Sequence, residues 1–561
     1  MTLHPSVRAR LDRLAPDQRA AATAPPGPLL CIAPAGSGKT TTLVARIAWL
    51  VDSGAARPPE IAAITFNRRA AEELTDRLAT ALEPLDVGPG TVRVRTFHAL
   101  GLEILREAGV VAEPLVDRSS ILRRLFPERG PAGWRELDTA FSRLKLDIGA
   151  TPEEIASDPE AGPVARAFVA YEAEVLATGG LDFDDLVARS VRLLESGGRL
   201  LDGWRSRCAH LLVDEAQDLD RAQLRMALLL AAPANRIFLV GDDDQSIYGW
   251  RLADVRRLLA LETSLPGLRR VDLEVNYRCP RLVVERAVRL VERNAERFAK
   301  VIRAAPVAPG TITLAADGAD DAVRIGRVLR RLPADGSSLA ILARTNRELL
   351  PAIVAALDLR MPFRPPGVEL LVTSPLVDRA LEETERSTAA SLPVLARIEA
   401  VRRRWAVDPP QGALDEDGRD DDPDAPRPSD VAAAVLGWAV PCPDLAAVRA
   451  VVADRRAALA ELCRDDASLR LATAHGTKGL EFDHVAVVGL DVGRFPSRRS
   501  VSESPEPARA LQEERRLAYV AWTRARRSLT LVYDPAAPSP FLLEAFDPDE
   551  LGVDSEDVPA A

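Results

Sequence analysis

The segment that most constrains the fold is the octapeptide APAGSGKT at residues 33–40. It follows the apolar run LLCI and precedes the helix-like run TTLVARIAWLV. A glycine-rich turn between a strand and a helix presents backbone N–H groups to phosphate at the helix N-terminus. The strict pattern has Gly where Ala33 stands, so the match is a variant. It nevertheless predicts a phosphate loop, with Lys39 reaching the β- and γ-phosphates of ATP and the Thr40 hydroxyl ligating Mg²⁺.

Strand-like and helix-like runs alternate around this loop, which predicts parallel sheets covered by helices on both faces. The expected α/β organisation is two parallel-sheet lobes, each interrupted by an insertion. The expected boundaries are 1–104 and 196–275 for the first lobe, 105–195 for a helical insertion, 276–372 and 468–545 for the second lobe, 373–467 for its reduced insertion, and 546–561 for an acidic tail. Within the second insertion, the acidic, Pro-rich run at 414–428 is typical of a solvated linker.

Composition places limits on the class of protein. The hydrophobic fraction of 47% is enough for buried cores, and no apolar run is long enough to predict a membrane span. The first residues lack the apolar stretch of a signal peptide. The five cysteines show no CxxC spacing, so neither a disulfide framework nor a zinc site is indicated. These features favour a cytoplasmic protein. The net charge of −10 means that any contact with nucleic acid must use a local basic surface.

A second chemical signal is VDEAQD, which begins at Val213 after the apolar run HLL. A carboxylate at the end of a strand can hold Mg²⁺, and its neighbour can orient or deprotonate the attacking water. We assign Asp214 to the metal ion and Glu215 to the base. An acidic loop that caps a helix would look similar, but the phosphate loop upstream favours the catalytic interpretation.

With these motifs in place, the chain resembles the superfamily 1 DNA helicases of the UvrD/Rep/PcrA group. The resemblance follows signatures in chain order from residue 18 to about 532: LAPDQRAA, ITFNRRAAEEL, RTFHAL, LDFDDL, VGDDDQSIYGWRLAD, NYRCP, ATAHGTKGLEFDHV and EERRLAYVAWTRARRSLTL. The resemblance implies two RecA-like P-loop NTPase lobes. It also implies a 3′→5′ DNA helicase or single-stranded DNA translocase that uses ATP and Mg²⁺ in repair or replication restart.

The resemblance also implies roles for individual residues at the nucleotide. Gln18 would read adenine and Tyr277 would stack on it, while Glu481 would bind the ribose. Gln245 would sense the γ-phosphate, and Arg278 and Arg524 would act as arginine fingers from the second lobe. The remaining nucleotide contacts would come from the phosphate loop and its helix: Ala33, Pro34, Ala35, Gly36, Ser37, Gly38, Lys39, Thr40 and Thr41.

The implied DNA contacts follow the other motifs. Aromatic rings can stack on any base, and Trp250 is the best candidate for that role, with Phe66 supporting it. Phe66 and Phe97 could instead be core residues that follow strands. The implied DNA-binding residues are Phe66, Thr96, Phe97, His98, Tyr248, Trp250, Arg251 and His475. The expected partners are single-stranded DNA, 3′-tailed duplex DNA, and repair or replication proteins.

Two departures from the family pattern lie in motifs, and a third concerns size. Arg68 stands where the family has Asn, and Leu252 stands where it has Gly. The insertion at 373–467 is much smaller than in the family, which weakens the inference about duplex unwinding. A translocase that displaces proteins with little unwinding therefore stays open. An RNA helicase is less favoured because DEAQ and GDDDQ replace the usual DEAD-like and SAT-like strings. A non-catalytic subunit is disfavoured because Lys39, Asp214 and Glu215 are intact.

Overall fold

The computed structural model describes residues 3–110, 115–148, 151–365, 371–386, 392–408, 410 and 428–552. The predicted acidic linker lies outside the described residues up to residue 427, as does the tail from residue 553. The chain forms two compact units. The first contains Met1–Arg278 and Asn294–Pro306, and the second contains Cys279–Arg293 and Val307–Ala561.

The first unit is built on a six-stranded parallel sheet in the order β3-β2-β4-β5-β1-β6. Its strands are β1 (Leu29–Ile32), β2 (Ile61–Thr65), β3 (Arg93–Thr96), β4 (His210–Val213), β5 (Ile237–Gly241) and β6 (Arg269–Asp272). Successive residues of a strand point to opposite faces. Leu29 and Cys31 enter one hydrophobic core, whereas Leu30 and Ile32 enter another. Helices therefore cover the sheet on both faces, which explains why the strands read as unbroken apolar runs.

The helices of the first unit are amphipathic, and those outside the helical insertion place their apolar sides on these two cores. Their bounds are α1 (Pro5–Asp12), α2 (Pro16–Ala22), α3 (Lys39–Asp52), α4 (Arg68–Leu82), α5 (Phe97–Glu107), α6 (Arg118–Leu125), α7 (Gly130–Leu146), α8 (Pro152–Ala156), α9 (Pro163–Thr178), α10 (Asp185–Glu195), α11 (Gly198–Arg207), α12 (Arg221–Ala231), α13 (Val255–Leu259) and α14 (Leu261–Ser264). A short parallel ladder joins β7 (Val275–Asn276) to β8 (Arg303–Ala304).

The helical insertion has a core of its own, but this core is narrower than the predicted range of 105–195. Helices α6 to α9 enclose it with side chains such as Leu137, Phe141 and Phe168. The flanking helices pack on the sheet instead, since Ile104 of α5 and Val191 of α10 belong to the core of the parallel sheet. The insertion thus begins after α5 and ends before α10.

The second unit contains a six-stranded parallel sheet in the order β11-β12-β10-β13-β14-β9. Its strands are β9 (Thr311–Ala316), β10 (Leu339–Ala343), β11 (Phe363–Arg364), β12 (Leu469–Thr473), β13 (Phe482–Val487) and β14 (Ala525–Tyr533). Its helices are α15 (Arg281–Val291), α16 (Asp321–Leu329), α17 (Leu350–Asp358), α18 (Pro375–Glu385), α19 (Val394–Val407), α20 (Pro428–Ala439), α21 (Leu445–Leu462), α22 (Arg498–Ser502), α23 (Pro507–Trp522), α24 (Pro540–Ala545) and α25 (Pro548–Leu551).

The described helices of the reduced insertion share a core with the second sheet. Its helices α18 to α21 contribute Ile398, Val435 and Val448 to one hydrophobic cluster. That same cluster contains Ile341 of β10 and Leu471 of β12. The described part of the insertion is therefore packed as an extension of the sheet's own helical layer.

The parallel α/β architecture confirms the predicted fold class, and the predicted apolar strands are present in both sheets. The sequence did not reveal β6 or β11, because β6 is polar (RRVD) and β11 spans only two residues. The predicted boundary at 275/276 also needs correction. Tyr277 and Arg278 belong to the first unit, where the Tyr277 amide donates to the Gly36 carbonyl at 2.9 Å. Among the described residues, no helix is both long enough and apolar enough to cross a membrane.

One departure from the family pattern has a clear structural consequence. Leu252 has a φ of 65°, which lies in the left-handed region. This conformation is easily adopted by glycine but is strained for leucine. Its side chain is only 8% exposed and belongs to the core of the first sheet. The left-handed conformation costs about 1–2 kcal/mol, whereas truncating a buried leucine costs about 2–5 kcal/mol. Packing therefore outweighs the strain.

These opposing terms give a prediction for two variants. Leu252→Gly and Leu252→Ala both lose the packing of the side chain beyond Cβ, but only Leu252→Ala keeps a Cβ atom in the left-handed region. Both variants should be less stable than the unmodified protein, and the Gly variant should be more stable than the Ala variant by about 1 kcal/mol. Urea unfolding measures both differences. Greater stability of Leu252→Ala, which is the usual order for these residues, would contradict this account.

Candidate active site and nucleic-acid interface

The phosphate loop connects β1 to α3, and two glycines shape it. Gly36 has a φ of 67° and Gly38, the N-cap of α3, has a φ of 83°. A Cβ atom at Gly36 would lie 2.6 Å from the Asn276 Oδ1 atom, and one at Gly38 would lie 2.7 Å from the Gln18 Nε2 atom. Both positions therefore require glycine for conformation and for space. The loop brings Ala33 to Thr41 to the N-terminus of α3, as the motif predicts.

Polar groups of this loop are buried without a protein partner that satisfies them. Among the described residues, neither Ser37 Oγ nor Lys39 Nζ has a hydrogen-bond partner, although Lys39 Nζ lies 3.6 Å from Glu215 Oε2. Buried polar groups are normally satisfied, and each exception calls for a specific explanation, such as a ligand that completes the site. An anion such as a nucleotide phosphate fits the donors of this loop.

Asp214 and Glu215 follow β4 directly and form the acidic side of the same site. Burial and, to a smaller extent, the adjacent charge of Glu215 raise the pKa of Asp214 to about 7, against the opposing effect of Lys39. Glu215 has a φ of 52°, a conformation that is costly for this residue type. A buried carboxylate with a raised pKa fits a cation. Asp214 together with the Thr40 hydroxyl would hold Mg²⁺, which supplies charge neutralisation at the phosphates.

The adenine side of the site is assembled around α2. The Gln18 Nε2 atom donates to the Ser37 carbonyl at 2.8 Å, and its Oε1 atom accepts from the Ala15 amide at 3.0 Å. Asp17 accepts from the Glu274 amide at 2.9 Å. This bond holds the segment that carries the exposed ring of Tyr277. Gln18, the phosphate loop, Tyr277 and Arg278 therefore lie in one unit.

Sequence reasoning missed two residues that connect the catalytic groups. The Gln217 Nε2 atom donates to Glu215 Oε2 at 2.6 Å, and Gln217 Oε1 accepts from the Asp242 amide at 2.9 Å. Asp242 Oδ2 in turn accepts from Gln245 Nε2 at 2.6 Å. The proposed base and the proposed γ-phosphate sensor are thus joined through Gln217 and Asp242. Both residues belong to motifs recognised in the sequence: Gln217 is the last residue of DEAQ, and Asp242 is the first residue of DDDQ.

Aromatic side chains form a continuous series beside this site. Phe66 and Tyr248 are stacked with ring centroids 5.1 Å apart, and Tyr248 meets Trp250 edge-on at 6.1 Å. The Arg251 guanidinium lies 4.6 Å from the centroid of the Trp250 ring. Trp250 is nevertheless 58% exposed. An exposed ring that its neighbours hold in place is suited to stacking on a nucleic-acid base.

The RTFHAL motif divides into a structural part and an exposed part. The prediction that Phe97 contacts DNA is wrong, because its side chain is buried in the core of the first sheet. Thr96 caps α5 by accepting from the Ala99 amide at 3.2 Å. His98 stacks on Phe183 with ring centroids 3.9 Å apart, and Phe183 is 57% exposed. Burial lowers the pKa of His98 to about 4, so the ring is neutral near pH 7. Phe183, within LDFDDL, is therefore a further exposed aromatic that the sequence reasoning did not single out.

The predicted residues of the second unit lie close together within that unit. The Arg524 carbonyl accepts from the Phe482 amide at 2.9 Å, which places Arg524 beside Glu481. The Arg524 side chain is buried, and it donates to the carbonyls of Val520 and Leu480. Burial lowers the pKa of His475 to about 3. The ribose, finger and DNA roles of these three residues stay predictions.

One acidic group in the first unit has the spacing of a metal site but already contains a cation. Glu172, Asp182 and Asp185 could together hold a metal ion. The Lys145 Nζ atom lies among them, at 2.7, 2.8 and 3.0 Å from their carboxylate oxygens. The lysine neutralises the group, which therefore serves to join α7, α9 and α10.

Comparison with known proteins gives two family matches. The UvrD/REP helicase N-terminal domain matches residues 14–266, and the UvrD-like helicase C-terminal domain matches residues 452–535. Together they cover more than half of the chain. DNA helicase II of Escherichia coli is 29% identical over 93% of this chain and 84% of its own length. ATP-dependent DNA helicase PcrA of Staphylococcus aureus is 31% identical over 52% of this chain and 42% of its own length.

The raised pKa of Asp214 predicts how stability depends on pH. The folded protein holds a proton on this carboxyl up to about pH 7, whereas an unfolded Asp releases it near its ordinary pKa of 3.8. Stability is therefore lost as pH rises from about 4 to 7. Without added nucleotide or Mg²⁺, Asp214→Asn should be more stable than the unmodified protein at pH 8, by up to about 4 kcal/mol. Urea unfolding at pH 4.5 and pH 8 measures the difference, which should shrink at the lower pH. A gain of equal size at both values would assign the effect to another cause.

The exposure of Trp250 predicts a specific loss of DNA contact. Trp250→Ala should weaken binding of single-stranded DNA by about 1–3 kcal/mol, because one stacked base loses its partner. Binding of ATP should stay unchanged. Leu176→Ala, which removes an exposed apolar side chain of α9, is the matched control. Fluorescence anisotropy with a labelled oligonucleotide compares the two, and equal affinities of both variants would place Trp250 outside the DNA interface.

Proposed function

The chain belongs to the UvrD/REP helicase family, and we propose that it moves 3′→5′ along single-stranded DNA as it hydrolyses ATP. It is an ATP-hydrolysing DNA helicase whose sheets form two RecA-like lobes. The observation that carries the proposal is the short sequence separation between a residue of the ATP site and the exposed ring proposed to bind DNA. Only four residues separate Gln245 from Trp250. Gln245 is connected to Glu215 by hydrogen bonds through Asp242 and Gln217, and Trp250 is exposed.

The proposed chemistry uses groups that lie together in the first unit. Lys39 and the loop amides would bind the β- and γ-phosphates, and Mg²⁺ held by Asp214 and Thr40 would neutralise developing charge. Glu215 would orient and deprotonate the attacking water, while Gln245 would report the presence of the γ-phosphate. Gln245 lies three positions before Tyr248 in the sequence. A change at the γ-phosphate that moves Gln245 can therefore alter the position of Tyr248 and Trp250.

Arginine fingers complete the proposed ATP site. Arg278 is a candidate because a Cβ atom on Gly36 would lie 2.6 Å from the Arg278 Cβ atom, so the phosphate loop and this residue are neighbours. Arg524 is the candidate from the second unit, together with Glu481 for the ribose. The buried state of Arg524 means that this role requires its guanidinium to exchange carbonyl partners for phosphate.

The reduced insertion favours a second candidate activity. Helices α18 to α21 share the core of the second sheet, so their described residues do not form a separate domain for gripping a duplex. A translocase that displaces proteins from DNA and unwinds only short duplexes fits this architecture. Single-stranded DNA and 3′-tailed duplexes are the proposed substrates in either case. Repair or replication proteins are the proposed partners, and the cytoplasm is the proposed location.

The ATP-driven activity gives a direct prediction. Single-stranded DNA should stimulate ATP hydrolysis more than RNA or blunt duplex DNA. Lys39→Ala should reduce the stimulated rate by at least about 10²-fold, because the cation at the phosphates is lost. Steady-state ATPase assays with the three nucleic acids measure this. Circular dichroism of the variant is the control for folding.

Polarity and processivity are tested in a strand-displacement series on 3′-tailed and 5′-tailed duplexes of increasing length. The 3′-tailed substrates should be unwound in preference, and yield should fall steeply with duplex length. Preference for 5′ tails would overturn the proposed direction. Efficient unwinding of long duplexes by a single molecule would overturn the proposal that the reduced insertion limits unwinding.

A further inference from the structure

The chain passes between the two units more than once. It leaves the first unit after Arg278, forms α15 within the second, returns for Asn294–Pro306, and then enters the second unit again at Val307. The return segment is held in the first unit by β8, which pairs with β7. It also carries Lys300, one of only four lysines in the chain. The contacts of this lysine lead directly into the active site.

Lys300 is completely buried among the three aspartates of the GDDDQ motif, here called the aspartate cluster (Asp242, Asp243 and Asp244). The side chains of Lys300 and of all three aspartates are 0% exposed. The Lys300 Nζ atom lies 3.4 Å from Asp242 Oδ1 and 2.8 Å from Asp244 Oδ2, and it also donates to Asp243. Burial lowers the pKa of Lys300, but the three carboxylates outweigh burial and raise the pKa above its ordinary value.

Other groups of the return segment bind the same cluster. Arg297 forms two bonds to Asp244, from Nε at 3.0 Å and from Nη2 at 2.9 Å. The Phe298 amide donates to Asp243 Oδ2 at 2.8 Å. The cluster is thus enclosed by one short segment that lies more than fifty residues further along the chain.

From the aspartate cluster, hydrogen bonds continue to both proposed catalytic groups. Asp242 accepts from Gln245 through its side chain and donates to Gln217 through its amide, and Gln217 donates to Glu215. Space around this path is restricted, because a Cβ atom on Gly241 would lie 2.5 Å from Gln217 Oε1. A displacement of Asp242 would therefore be transmitted to Gln245 and to Glu215.

Stability alone does not account for such a cluster. Burying charges is costly, and apolar side chains of similar volume often stabilise a core as well or better. What an ion cluster adds is fixed direction, since defined donors hold each of the three carboxylates in place. Here the fixed oxygens include the one that orients Gln245.

We propose that Lys300 is a positioning residue for ATP hydrolysis, which fixes Asp242 so that Gln245 and Glu215 keep the orientation needed at the γ-phosphate. The inference rests on the proposed roles of Gln245 and Glu215. It also assigns a function to the return segment, which carries the cation for the active site while its two ends continue into the second unit.

The chain contains a matched control for this role. Lys145 is also buried, at 3% exposure, and it also contacts three carboxylates, in the helical insertion. Among the described residues, its three carboxylate partners lie in the insertion and its flanking helix α10, outside the hydrogen-bonded path from Asp242 to Glu215. Removing either lysine leaves three buried carboxylates without their ammonium partner. Loss of stability should therefore be similar, whereas loss of catalysis should differ.

The experiment compares Lys300→Met with Lys145→Met in the full-length protein. Active concentration is taken from the folded fraction, and kcat and KM for ATP are measured with saturating single-stranded DNA. Lys300→Met should lower kcat per folded molecule at least about tenfold with KM changed less than about threefold, because the lost contribution acts in the transition state. Lys145→Met should leave kcat within about twofold. Equal effects of the two variants on kcat would reduce Lys300 to a structural role and overturn the proposal.

A double variant tests whether Lys300 acts through the sensor. Combining Lys300→Met with Gln245→Ala should lower kcat by much less than the product of the two single effects, since the two residues act as a unit. Multiplicative effects would contradict the proposal. If Lys300→Met does not fold, Arg297→Gln decides, because it keeps Lys300. A kcat loss of at least about threefold at unchanged KM supports the proposal, and an unchanged kcat overturns it.

The unmodified protein separates this inference from the proposed function. DNA-stimulated hydrolysis by the unmodified protein upholds the function, and only the ratios between variants then decide the role of Lys300. A protein without that activity would contradict the proposed function itself.

Discussion

The parallel register of the first sheet is the constraint on which the active site depends. Because all its strands point the same way, their carboxyl ends meet at one edge, where loops of different motifs converge. The phosphate loop follows β1, the acidic pair follows β4, and the aspartate cluster follows β5. The sheet order places β1 and β4 on either side of β5. Residues more than two hundred positions apart in sequence are therefore neighbours, and the Ala33 amide donates to the Gly241 carbonyl at 2.8 Å.

This edge of the sheet contains buried polar and charged groups that the described part of the chain does not satisfy. Lys39 and Ser37 have buried polar groups that lack a hydrogen-bond partner among the described residues, and the pKa of Asp214 is raised by burial. By contrast, the buried ammonium groups of Lys145 and Lys300 each lie among three carboxylates. Buried donors without a partner, next to a buried carboxylate at the ends of parallel strands, fit a charged ligand. A bound nucleotide and metal ion would satisfy these groups.

The two insertions differ in how they relate to their sheets. The helices of the first enclose a separate core, whereas those of the second continue the core of β10 and β12. A segment with its own core can change position as a body, but a segment that shares a core is fixed to the sheet it covers. This difference supports the proposal that the second unit contributes mainly to the motor and less to contact with duplex DNA.

The sequence by itself determined the α/β class, nearly all the long strands, and the chemistry of the phosphate loop and the acidic pair. These follow from local patterns, because apolar runs, glycine turns and strand-end carboxylates are read within a few residues. The polar strand β6 and the two-residue β11 have no such pattern. Only the tertiary structure decided that Phe97 is buried, that Arg278 stays in the first unit, and that α18 to α21 join the core of the second sheet. The tertiary structure likewise decided that Lys300 pairs with Asp242, which lies 58 residues earlier in the sequence. Burial and ion pairing of this kind depend on which distant segments exclude water from a side chain, and local spacing carries no record of that.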